Sequence, residues 1–345
     1  MMRLPRFRYR TPSTLDEAAR ILAGEGSDAM IVAGGTDLLP NMKRRQQTPA
    51  TLVALGGIGA LRSVENGDGL RLGAGSTLTD LVRHPLVRAS APALWEAAAQ
   101  VATPHLRNMG TLGGNLCLDT RCTYYDQNLE WRKSIGFCMK KDGETCWVAP
   151  SSSRCLAVSS TDTAPALVAL GAEVTLVSAE GERVVRLADL YRNDGMDYTA
   201  RRPDEILTEV RLGPTDGWRS TYWKLRRRGS FDFPVLSVAA AARLADDGTV
   251  EEARIVLGAV SSCPVMAQKA TDAIVGGKLT DDAIGEASAL AAKLAKPMDN
   301  TDFTLHWRKR VATAYVRYAL RQIRGDDMRE TRIRTAHHSL EAAGV

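Results

Sequence analysis

Residues 118–160 constrain this chain more than any other stretch, because they carry four cysteines and no periodic pattern. Cys122, Cys138, Cys146 and Cys155 follow the spacing C-x15-C-x7-C-x8-C. Apolar residues recur there at neither helical nor strand intervals, so the segment lacks the face by which an ordinary element joins a core. Structural zinc usually uses cysteine pairs two to four residues apart, and short ferredoxin spacing is absent as well. A [4Fe–4S] cube takes one thiolate per iron and tolerates long loops between ligands. Buried free cysteine is the plain alternative. Four thiols within 34 positions of a loop-like stretch argue for a metal centre instead.

Two glycine loops precede this stretch: A-G-G-T-D-L-L-P (33–40) and G-T-L-G-G-N-L-C (110–117). Glycine permits positive φ and close backbone approach, so successive amides can point at one anion. Gly34-Gly35-Thr36-Asp37 has that layout at the end of an apolar run. Gly110, Gly113 and Gly114 suggest a second nest, with Thr111 and Asn115 as side-chain donors. Each loop alone reads first as a tight turn. Neither matches G-x-G-x-x-G with a distal acid, which disfavours a Rossmann NAD site. Two such loops fit a long dinucleotide, FAD.

Basic residues number 45 against 40 acidic, a net charge of +5 with no long basic run, so nucleic acid is not expected as a partner. The cluster Lys224-Leu225-Arg226-Arg227-Arg228 reads as an anion site or as a solvated strand end. No run approaches the roughly 20 apolar residues of a membrane span, and the basic N-terminus lacks the apolar core of a signal peptide. A cytoplasmic protein is expected, where clustered cysteines are ligands and not disulfides.

The periodic signals predict an α+β chain. Helices are expected at 11–23, 77–82, 91–102, 163–170, 266–275, 281–294 and 306–323. Strands are expected at 30–33, 51–55, 70–74, 173–178, 183–186, 206–212, 221–225, 236–244 and 253–259. A composition break at Gly213-Pro214-Thr215-Asp216-Gly217 divides the chain into 1–216, with the 118–160 insertion, and 217–325. Residues 326–345 read as a polar tail that frays.

Four motifs in order resemble the FAD-binding medium subunit of the molybdenum hydroxylases, a family that includes xanthine and carbon monoxide dehydrogenases. They are A-G-G-T-D-L-L-P, R-N-M-G-T-L-G-G-N-L-C, S-T-D-T-A-P-A-L-V-A-L-G-A and Y-W-K-L with D-F-P-V-L-S-V-A-A. The resemblance implies a two-subdomain FAD-binding domain of the vanillyl-alcohol-oxidase type, followed by a C-terminal α+β domain with an antiparallel sheet and helices. By this resemblance Ile31, Val32, Ala33, Gly34, Gly35, Thr36, Asp37 and Leu38 would wrap the FAD pyrophosphate. Thr111, Gly113, Gly114 and Asn115 would form the second phosphate and ribityl contact, and Val101 and Thr103 would line the flavin side. Asp162 would accept from ribityl hydroxyls, though it reads equally as a helix N-cap. Lys224 would sit near the flavin ring, supported by the Phe231-Asp232-Phe233-Pro234 corner.

In the family pattern the G-G-N-L-C motif runs within a few residues into the next one. About forty residues intervene here, holding the four cysteines; Cys117 belongs to the common motif. Such an insertion is similar to that of the beta subunit of 4-hydroxybenzoyl-CoA reductases, which implies Cys122, Cys138, Cys146 and Cys155 as ligands of a [4Fe–4S] cluster. The implied partners are a small [2Fe–2S] subunit and a large molybdopterin subunit, as a dimer of heterotrimers, with a ferredoxin as possible donor. Lys140, Lys141 and Arg154 would offset the cluster's charge or dock that donor. Two alternatives remain: the medium subunit of an oxidative hydroxylase, and a zinc-stabilised binding protein. The histidines (His84, His105, His306, His337, His338) are scattered, and no catalytic residue is expected.

Overall fold

Three sheets, each preceded or flanked by helices, organise the computed structural model, which describes residues 3–341 and side chains through Thr335. The first sheet is parallel, ordered β1-β3-β2, from β1 (Arg8–Arg10), β2 (Ala29–Val32) and β3 (Thr51–Ala54). The helix Leu15–Glu25 makes the crossover from β1 to β2. It starts later than the periodicity suggested because Thr14 is the cap, its Oγ1 accepting from the Glu17 amide, while the Glu17 carboxylate accepts from Ser13 N–H. Its buried stripe is Ala18, Ala19 and Leu22.

The second sheet is antiparallel: β4 (Val64–Gly67), β5 (Gly69–Gly73), β6 (Glu173–Ser178), β7 (Gly181–Arg186) and β8 (Ile206–Leu212), in the order β4-β5-β8-β6-β7. The third is also antiparallel: β9 (Trp218–Leu225), β10 (Leu236–Leu244), β11 (Val250–Gly258) and β12 (Val265–Met266), in the order β12-β11-β10-β9. Strand β10 is buried on both sides, which explains its apolar run. Val238, Ala240 and Ala242 face helices Asp281–Leu294 and Leu305–Arg324, whereas Ala239 and Ala241 face the core that holds helix Thr163–Ala169. Alanine lets that helix approach closely; a Cβ on Gly258 of β11 would strike Pro165 and Ser237.

Arg308 closes this unit. It is fully buried, and its guanidinium donates to the carbonyls of Val235 (2.9 Å), Met298 (2.9 Å) and Ala259 (2.7 Å). Burial lowers its pKa to about 10.

The α+β architecture and the antiparallel C-terminal sheet agree with expectation. The differences are local. Residues 266–275 give strand β12 and a helix of only five residues, Gln268–Asp272. The expected frayed tail forms helix Arg329–Glu341; on it, Arg332 stacks over Trp223 at 4.1 Å and pairs with Glu96 at 3.0 Å. The side chains of His337 and His338 lie outside the described residues. Among the described residues no helix is long and apolar enough to cross a membrane.

Candidate functional site: two glycine loops and a four-thiol cavity

Strand β2 delivers the chain to Gly34, and Gly35 turns it at φ +69° into helix Leu38–Lys43. Among the described residues no acceptor faces the amides of Gly34, Gly35, Thr36 or Asp37, so four donors are left for a ligand. Buried Arg121 Nε, also without an acceptor, lies on a side chain that reaches this loop through an ion pair with Asp37. A Cβ on Gly34 would strike the Met109 carbonyl, so the two glycine loops touch backbone to backbone.

The second loop differs from the expected nest. Gly110 N–H donates to Leu106 O (2.7 Å), Gly113 N–H to Ala74 O (2.8 Å) and Gly114 N–H to Thr111 Oγ1 (3.1 Å). These glycines allow close packing, on Ala74 for instance, and Thr111 caps the short helix Leu112–Leu116. The amides of Gly110, Gly113 and Gly114 are therefore not left for a ligand. Asn115 Oδ1 accepts from Thr161 Oγ1 (2.8 Å), Thr163 N (3.1 Å) and Thr163 Oγ1 (2.7 Å), tying the loop to the start of helix Thr163–Ala169.

Asp162 does not cap that helix with its side chain. Its carboxylate accepts from Tyr222 Oη (2.7 Å) and Lys224 Nζ (3.0 Å). Lys224 also donates to the carbonyls of Gln100 (3.0 Å) and Asp232 (2.9 Å). Burial pushes the Asp162 carboxyl up and the Lys224 ammonium down, each opposed by the other's charge. Val101 and Thr103 flank Ala102, whose carbonyl accepts from Phe231 N–H (3.0 Å). Ala102 (φ +45°) and Phe231 (φ +55°) both hold left-handed backbone. A continuous set of contacts thus joins the residues assigned to FAD, from the 33–38 loop through 101–115 to Asp162 and Lys224.

The four cysteines of the insertion also converge. Cys122, Cys138, Cys146 and Cys155 are all buried and line one small, apolar-walled cavity with Tyr125, Met139, Trp147 and Val148. Turns with positive φ at Phe137 and Asp142 present Cys138, and the Asp126 carboxylate accepts from the Cys122 amide (3.2 Å). Burial, added to by neighbouring thiols, pushes Cys122 up to about 12 and Cys155 to about 11. A cationic centre is what would draw such thiols into the thiolate form. Among the described residues no three His, Cys, Asp or Glu side chains are placed to hold a single metal ion. Thiols spread around a cavity suit a cluster, in which each binds its own iron. Cys117 stands apart beside Arg201, and Cys263 beside Arg154.

Of the three flanking cations only Lys140 lines the cavity. It is a buried donor to Asp119 (2.8 Å), Thr120 Oγ1 (2.7 Å) and Gly195 O (2.6 Å), beneath the Tyr125 ring. It is therefore not a docking residue. Lys141 pairs with Asp142 near the surface, and Arg154 donates to Asn193 O. Sequence reasoning missed Asp119, Arg121 and Asn300. The last secures the insertion to the C-terminal half, accepting from Thr123 N–H (2.9 Å) and donating to Leu156 O (2.6 Å).

These features define an FAD-binding unit joined to a second α+β unit. Residues 5–215 match the family described as the FAD binding domain in molybdopterin dehydrogenase, and residues 220–323 match the CO dehydrogenase flavoprotein C-terminal domain. The aldehyde oxidoreductase FAD-binding subunit of Escherichia coli is 36% identical over 268 residues, 75% of this chain and 82% of that one. The carbon monoxide dehydrogenase medium chain of Afipia carboxidovorans is 29% identical over 317 residues, 91% and 95% of the two chains. A crystal structure of the Cu,Mo-CO dehydrogenase in its cyanide-inactivated form superimposes with a TM-score of 0.77 at 28% identity, covering 94% of this chain and 99% of that one. The chain belongs to the FAD-binding medium subunits of the molybdenum hydroxylases, oxidoreductase components of multi-subunit complexes.

Proposed function

We propose that this subunit passes electrons between a [4Fe–4S] cluster on Cys122, Cys138, Cys146 and Cys155 and an FAD seated on the two glycine loops. Its partners would be a small [2Fe–2S] subunit and a large molybdopterin subunit, in a cytoplasmic dimer of heterotrimers. The observation that carries this reading is the convergence of four thiols on one apolar cavity, within the segment that interrupts the family motifs.

When bound, the flavin supplies the exchange between one-electron and two-electron steps. The chain's residues bind and orient. The free amides of Gly34–Asp37 would take the pyrophosphate. Asn115 and Thr111 hold the second loop, and the buried Lys224–Asp162 pair ties the start of helix Thr163–Ala169 to strand β9. Lys140 offsets negative charge at the cavity, whose apolar walls exclude water and so help set the cluster's potential. No side chain is asked to act as acid or base.

A relay centre beyond FAD suits electrons arriving from a low-potential donor such as a ferredoxin. The complex we favour is therefore of the 4-hydroxybenzoyl-CoA reductase type, in which the molybdenum subunit takes two electrons and two protons, releases the phenolic hydroxyl as water and yields benzoyl-CoA. A second reading draws on the relatives' names, which include nicotinate dehydrogenase and nicotine 6-hydroxylase; there electrons run outward from the substrate.

The purified chain should carry iron and flavin, and Cys138→Ser should abolish the broad iron–sulfur absorbance while FAD stays. Unchanged iron content would refute the ligand set. The co-purified complex should form benzoyl-CoA from 4-hydroxybenzoyl-CoA and a low-potential donor; hydroxylation of another substrate would overturn the direction.

A further inference from the structure

Beside Cys122 stands a residue whose side chain reaches the flavin loop. Arg121 is buried, and its backbone pairs with Val158 in both directions (2.8 and 2.7 Å). Its guanidinium forms an ion pair with Asp37, the residue just before helix Leu38–Lys43, and donates to Asn41 Oδ1 (3.2 Å) on that helix. Asn41 Nδ2 in turn donates to Asp37 Oδ2 (3.0 Å). On the other side Arg121 Nη1 lies 3.4 Å from Asp126 Oδ1, and the second oxygen of Asp126 accepts from the Cys122 amide. The Phe233 ring covers the guanidinium at 4.6 Å.

We propose that Arg121 is a positioning residue through which FAD and the iron–sulfur cluster strengthen each other's binding. The inference rests on the cluster reading above. Two physical arguments carry it. First, the guanidinium is a rigid fork, and its two acidic partners come one from each cofactor segment. Loading the cluster fixes Cys122; this fixes Asp126, which orders Arg121, which holds Asp37 and with it the unpartnered amides of Gly34–Asp37. The first cofactor meets the ordering entropy, and the second binds a loop already in place. Second, Asp37 is an anion at a site proposed for a pyrophosphate. Arg121, held in a buried position where salt screens poorly, cancels that repulsion. A lysine offers one point charge and cannot hold both sides.

By linkage the effect must be reciprocal. The test titrates FAD into the full-length chain, cluster-loaded and iron-stripped, reading the dissociation constant from flavin fluorescence. Wild type should bind FAD about tenfold more tightly when loaded, within the usual range of coupling between sites. Arg121→Lys and Arg121→Met should bring that ratio close to one while the cluster's electron paramagnetic resonance signal persists. Asp126→Asn cuts only the cluster side and should lower the ratio likewise. Iron retention against a chelator at equilibrium, with and without saturating FAD, should change by the same factor in wild type. Equal FAD affinities in loaded and stripped wild type, or a ratio unmoved by these substitutions, would overturn the proposal while leaving the cluster intact. A wild-type chain that takes up no iron would remove both.

Discussion

Replacing Lys224 by methionine keeps most of the side-chain volume and removes one buried charge. The side chain has no exposed surface, and its ammonium serves three acceptors. After the change the Gln100 carbonyl keeps Arg226 as a donor (3.2 Å), but the Asp232 carbonyl loses the lysine and Asp162 is left with Tyr222 alone. Breaking a buried pair from one side costs about 3–5 kcal/mol, and an orphaned buried carbonyl adds about 1–3 kcal/mol; methionine packing offsets part of this. A loss of roughly 3–5 kcal/mol in urea denaturation, followed by tryptophan fluorescence, is the expected result. The pH dependence follows from Asp162. Burial already raises its pKa with Lys224 present, and without the lysine the folded-state value rises further. A raised folded-state value stabilises below the unfolded pKa, and that contribution is lost as pH rises through the folded value. The variant's deficit should therefore shrink as pH falls from neutrality towards the carboxylate range. Asp162→Asn in the Lys224→Met background should recover much of the loss. A deficit under about 1 kcal/mol, the scale of an exposed pair, or one indifferent to pH, would refute this account.

Arg308→Met should destabilise the C-terminal unit by roughly 3 kcal/mol or more, since three carbonyls lose their donor; a shift in the calorimetric transition of that unit checks it. Glu205 is buried, which pushes its carboxyl up, but hydrogen bonds from Arg183 and the Arg202 amide outweigh burial and hold it below its usual value. Its stabilisation is present above the unfolded carboxylate pKa and lost as pH falls through the lowered one. Glu205→Gln should accordingly weaken the fold at neutral pH and flatten the acid limb of a stability-versus-pH curve.

Elements with strong periodicity were legible in the sequence: helix Asp281–Leu294 and strands Ile206–Leu212 and Leu236–Leu244 lie at their expected bounds. Strands Arg8–Arg10 and Val64–Gly67 were not, being short and polar and existing only through their neighbours. The cysteines and the first glycine loop announced themselves by residue type. The second loop misled because Gly-Gly serves amide anchoring and helix capping as readily as anion binding. Asp162 read as a helix N-cap or as an acceptor for ribityl hydroxyls, and neither local reading carried its ion pair with Lys224, 62 residues away. Arg121 and Arg308 act through acceptors distant in sequence, a relation that no local pattern encodes.

The alanines of β10 have a further consequence. Asp162 opens the helix that rests on Ala239 and Ala241, whereas its lysine is carried by the neighbouring strand β9, so the thickness of those alanines gauges how near the acid can come to Lys224. Bulkier residues there, chosen from among good strand formers, would jack the helix outward and stretch the buried acid–lysine contact without replacing either of its charges.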